Sequence, residues 1–152
     1  MLTSKGLSMP TLYTEIVIEA PRQAVWESLV YKDRWRFWNT FLYDCSPRAG
    51  FVPGKEVLLA VRRVPGDEPI EFRAKVREVM DGYGVQWRAV IPGFTSEVSM
   101  ELQEIGPDRT KYLYQEKISG AIGRFALSFI RHDQMRGMRR MAQELKQYSE
   151  VL

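Results

Sequence analysis

Glu116 is the charge in this sequence best placed to do chemistry. In TKYLYQEKI (110–118), strand alternation puts it on one face with Tyr112, Tyr114 and Ile118. Burial disfavours the charged form of a carboxylate, which would suit an acid, a base or an acceptor for a ligand's hydrogen bond. The two phenols need partners if buried, and could orient the polar end of a ligand. A structural reading stands beside this one: parity slips near a strand end, or Glu116 pairs with an arginine across the sheet.

Other chemistries find less support. His132 is the only histidine, and on a helical wheel it falls on the side of Arg136 and Gln143, as a solvated residue would. The single Cys45 cannot form an intrachain disulfide, and no His or Cys stands near it at metal-ligand spacing. GAIGRF (120–125) begins no phosphate-binding motif. No metal or cofactor is expected.

RWRFWNTF (34–41) interleaves aromatics with arginines. A single-strand nucleic-acid platform would present such rings on an exposed sheet face. Here the outward strand positions carry charge of both signs, and the net charge is only +3, so no nucleic-acid partner is expected. The remaining readings are core filling and a wall at a pocket mouth, with Arg34 or Arg36 reaching solvent. They overlap, and the stretch is read as a cavity rim.

These residues depend on the elements around them. TLYTEIVIEA (11–20) reads as a strand, and Pro21 as the first residue of a short helix carrying Val25, Trp26, Leu29 and Val30. Asp33 is the expected N-cap of a second short helix holding Trp35 and Trp38. Period-two stretches follow at 55–64, 70–78, 85–91, 96–105 and 110–118, with a weak strand after residue 41. In IEFRAKVRE, Ile70, Phe72, Ala74 and Val76 face inward. PG at 92–93 is a turn. From Gly120 the pattern is helical to the end, with Met135, Met138, Met141, Ala142, Leu145 and Tyr148 in one stripe. Segment 121–130 is apolar all round and should be covered on two sides, by sheet and by a partner chain or lid.

The expected architecture is α+β: about seven antiparallel strands curved round a long C-terminal helix, with two short helices after the first strand. Residues 1–10 read as a flexible tail, and 11–152 as one domain. No apolar run approaches a membrane span and no secretory signal is apparent, so a cytoplasmic setting is expected.

This order resembles the START/polyketide-cyclase (SRPBCC) superfamily with its helix-grip fold. The resemblance is carried by IEAPRQAVWESLV, RWRFWN, FRAKVREV, VQWRAVIPG, QEKISG and RRMAQELKQYSE, and it covers roughly residues 11–150. It implies a hydrophobic pocket between sheet and long helix that binds lipids, polyketides or other apolar molecules. In relatives a His near the position of Val98 and an Asn near that of Ala142 are expected; valine and alanine leave two polar handles missing. Binding is therefore placed ahead of turnover.

The expected lining is Trp35, Trp38, Phe72, Trp87, Met100, Tyr112, Tyr114, Glu116, Phe125, Met135 and Met138. The expected partner is a hydrophobic or amphipathic small molecule. Arg136, Arg139 and Arg140 form a solvated face that could touch anionic headgroups transiently. The alternative function is a cyclase or dehydratase using Glu116, with Tyr114, for proton transfer. A third reading makes 121–130 a protein-interaction surface, so the state is a monomer or a homodimer.

Overall fold

β1 (Thr11–Ile18) opens the chain as its computed structural model describes it: residues 11–91 and 94–152, with the backbone alone for residues 91 and 121–127. The expected tail (1–10) and the turn at 92–93 lie outside the described residues, as do the side chains of 121–127, Phe125 among them, in the all-round apolar segment.

Pro21 stands just before α1 (Arg22–Val30), one residue earlier than expected, and its carbonyl accepts from the N–H groups of Ala24 and Val25. The second short helix is a 3-10 helix (Lys32–Phe37) rather than an α-helix. Asp33 lies in its first turn and does not cap it. A buried ion pair pulls this turn inward: Lys32 Nζ donates to Asp44 Oδ1 at 2.6 Å and to the Ser46 carbonyl at 2.5 Å.

The strands β2 (Leu42–Asp44), β3 (Glu56–Val61), β4 (Ile70–Met80), β5 (Gly84–Ile91), β6 (Phe94–Gly106) and β7 (Arg109–Ser119) join β1 in one antiparallel sheet. The seven strands run in the order β1-β7-β6-β5-β4-β3-β2, so the first strand closes on the last. Register shifts between Val76 and Glu78 and between Glu104 and Gly106 sharpen the local twist of this curled half-barrel. Ala74, Val76, Val85, Trp87, Val98, Met100 and Leu102 are buried, as alternation requires. Ile70 is not: at the start of β4 it is 56% exposed, because alternation specifies a face and not a depth.

Gly120, with φ +106°, turns β7 into α2 (Ala121–Glu150). α2 lies on β1, β7, β6 and α1. Met138, Met141, Ala142 and Leu145 are buried there, while Met135 and Tyr148 pack at the edge of the core. Full burial of each large side chain in this stripe contributes about 1.5–3 kcal/mol. Gly137 sits under the Phe41 ring, and a Cβ at that position would come within 2.3 Å of it. Glu144 accepts from Thr40 N and Oγ1, and Glu150 from Glu19 N, tying the helix to the rest of the chain. No described helix is long and apolar enough to cross a membrane.

Candidate functional site

A cavity lies between the concave face of the sheet and the first half of α2. Leu42, Val61, Phe72, Trp87, Ala89, Phe94, Val98 and Ile118 give it apolar walls, and Ile130 of α2 faces them. Tyr114, Glu116, Ser96, Gln134 and Arg63 supply its polar groups. The described side chains enclose about 30 Å³ of free space, on the order of one or two water molecules. Most of the wall is buried, whereas Arg63, Phe72, Phe94 and Ile130 are half-buried and mark its open side.

The polar groups form one chain of hydrogen bonds. Arg63 Nε donates to Gln134 Oε1 at 2.6 Å. Gln134 Nε2 donates to Glu116 Oε1 at 2.7 Å, and Ser96 Oγ donates to Glu116 Oε2 at 2.5 Å. Glu116, Gln134 and Ser96 are all buried. Strand register places Glu116 opposite Val98, and Ser96 one inward step before Val98 on β6. A desolvated carboxylate is costly unless its oxygens are satisfied, and here each oxygen has a donor. Gln134 works as a relay that accepts from a guanidinium and donates to a carboxylate.

Electrostatics follow from the burial. Desolvation lowers the pKa of Arg63, against the opposing pull of Glu116, Tyr114 and Asp133. Desolvation pushes the Tyr114 phenol well above its ordinary value, and the Glu116 charge adds to the rise. Tyr114 therefore remains a neutral phenol at physiological pH. Trp87 lies flat on Phe51, with ring centroids 5.6 Å apart and 3° between planes. Its indole N–H is buried without a hydrogen-bond partner among the described residues.

The structure brings Phe72, Trp87, Tyr114 and Glu116 together at the cavity and leaves other expected lining residues elsewhere. Met100, Tyr112 and Met138 are fully buried in the core beyond it, and Met135 packs at the core edge. Trp35 is buried, donating its indole N–H to the Leu29 carbonyl at 2.9 Å. Trp38 stacks on Tyr148 near the far end of α2, with centroids 6.2 Å apart. The tryptophans, Asn39 and Phe41 of RWRFWNTF are thus core rather than cavity rim, while Arg36 and Phe37 reach solvent. His132 is exposed.

Sequence reasoning passed over Ser96, Arg63 and Gln134. Each carried a signal: Ser96 has the parity of Val98 and Met100, Arg63 that of Leu59 and Val61, and Gln134 stands four residues before Met138 on the same helical face.

The chain matches no family model and no curated protein sequence. Solved structures do share its arrangement. Protein Ms6760 from Mycobacterium smegmatis matches with a TM-score of 0.74 and 12% identity, over 93% of this chain and 91% of its own. DynU16, a protein from the dynemicin biosynthetic locus, matches 93% of this chain with a TM-score of 0.66 and 20% identity. BexL, the di-domain ARO/CYC of the BE-7585A biosynthetic pathway, matches 94% with a TM-score of 0.71 and 12% identity. The chain spans about half the length of these last two, 47% of each. At these identities the likeness is one of fold. The chain is a helix-grip protein, and its resemblance to the START/polyketide-cyclase superfamily holds at that level.

Proposed function

We propose that the protein binds a hydrophobic or amphipathic small molecule between the sheet and the first half of α2. One observation carries this reading. The free space at the sheet–helix interface has apolar walls, yet its lining includes the buried Glu116 carboxylate, hydrogen-bonded to Ser96 and to Gln134, which in turn accepts from Arg63, and also Trp87, whose indole N–H is buried without a partner among the described residues. A core built for stability alone gains nothing from such groups, since apolar residues of similar volume are as good or better. Apolar walls with a few convergent polar groups are the usual make-up of a ligand site.

The enclosed space is too small for a lipid or a polyketide, so binding requires the lining to part. The half-buried Phe72, Phe94 and Ile130 are the side chains to move. Apolar area removed from water, at about 25 cal/mol per Å², would drive the affinity. A polyketide-like ligand is the class that the resemblance of fold implies.

A second reading, a cyclase or dehydratase, is favoured by the neutral Tyr114 phenol beside Glu116. Carboxylate and phenol would then act as base and acid. Native mass spectrometry of protein purified from its host, followed by solvent extraction of the bound species, tests the binding reading. A defined added mass is expected. A ligand-free protein that also fails to take up fluorescent fatty acids would overturn it.

A further inference from the structure

Arg63 lines two spaces at once. One of its sides faces the internal cavity, and the other faces an open groove of about 260 Å³ formed with Val64, Pro65, Asp133, Arg136 and Arg140. The groove therefore carries three guanidinium groups against the single carboxylate of Asp133. The arginines are held differently. Arg140 is anchored, donating from Nε to Thr40 Oγ1 at 2.9 Å and from Nη2 to the Arg62 carbonyl at 2.9 Å. Arg63 commits its Nε to Gln134, and no acceptor among the described residues takes its terminal nitrogens. Arg136 is exposed and has no hydrogen bond or ion pair among the described residues.

A partly desolvated cation on the wall of an apolar cavity is costly unless an anion meets it. Glu116 does not meet Arg63 directly, because Gln134 stands between them. Guanidinium groups suit carboxylate and phosphate oxygens, which they bind through paired N–H donors. We infer that the groove of Arg63, Arg136 and Arg140 is the anion subsite of the pocket, so that the ligand is an amphiphile with its apolar part in the cavity and a carboxylate or phosphate end on these arginines. This rests on the ligand-binding reading above and narrows its ligand class.

Calorimetric titration of the whole chain with decanoate, decyl phosphate and decanol tests it. Both anions should bind at least about tenfold more tightly than the alcohol, as a charged hydrogen bond would give. Arg136→Gln should erase most of that preference, while Arg139→Gln, on an exposed part of the same helix, should keep it. The better of the two anions identifies the head group. Equal binding of alcohol and anions would overturn the subsite and leave the pocket reading intact. Failure of all three probes would overturn both. Sedimentation with phosphatidylglycerol vesicles in the absence of amphiphile binding would assign the arginines to a membrane surface, and so also overturn the inference.

Discussion

Gln134 bridges helix and sheet: its carboxamide nitrogen lies 2.7 Å from Glu116 on β7, and its oxygen 2.6 Å from Arg63 Nε, two residues past the end of β3. The contact decides what substitutions at the site should do. Gln134→Leu strands a buried carboxylate oxygen and a half-buried guanidinium, and should cost about 1–3 kcal/mol in urea denaturation. Glu116→Gln preserves both of its contacts, with the new amide oxygen facing Gln134 and the amide nitrogen facing Ser96. Its stability should stay within about 1 kcal/mol of the parent. A larger loss for Glu116→Gln than for Gln134→Leu would mean that the network is wrongly drawn.

If the protein has a turnover, Glu116→Gln should also separate the two functional readings. Binding should survive, while a proton-transfer reaction should lose about two to four orders of magnitude in rate. Unchanged turnover of the variant would remove Glu116 as the proton-transfer group.

Gly137 and Phe41 form a second coupled pair. Alanine in a helix interior is ordinarily favoured over glycine by about 1 kcal/mol. Here the added methyl would enter the buried Phe41 ring, so Gly137→Ala should instead destabilise by about 1–3 kcal/mol. Phe41→Leu in the same chain should recover part of that loss, giving a coupling energy in a double-mutant cycle. Additive effects would show that the ring does not rest on the glycine.

Burial raises the phenols of Tyr112 and Tyr114 well above their ordinary value. The unfolded chain then gives up those protons first, near pH 10 by the reference value for a free tyrosine, roughly. Their contribution to stability is whole below about that pH and is lost as pH climbs toward the folded values. Tyrosinate absorbance should therefore show these phenols ionising only as the fold is lost. Tyr112, whose hydroxyl is buried without a partner among the described residues, should tolerate phenylalanine with little or no loss of stability.

Much of this architecture could be read from the chain. The alternation of IEFRAKVRE and SEVSMELQEI specified strands and faces, and the methionine stripe specified the buried side of α2. Glu116 was found through its parity with Tyr112 and Tyr114. Its companions were passed over because a polar residue at an inward position looks like the end of an element. Ser96, Arg63 and Gln134 all stand near such ends or at the margin of an apolar stripe.

Trp35 and Trp38 illustrate the other kind of gap. Their spacing correctly implied burial, but local periodicity carries no information about which end of a long helix a neighbouring turn will meet. The Trp38–Tyr148 stack is a contact across more than a hundred residues, fixed by the path of α2 and not by the tryptophans themselves. Lys32 is a similar case, a lysine whose burial depends on Asp44 in the next strand.

The most direct measurement is an isotope-filtered nuclear Overhauser experiment between protonated decanoate and the methyl groups of the otherwise deuterated protein. The account predicts contacts from the alkyl chain to Val98, Ile118 and Ile130, with none to Leu12 or Ile18 in the closed core. Contacts confined to exposed methyls such as Val64 and Val90, with the cavity resonances unmoved, would contradict it.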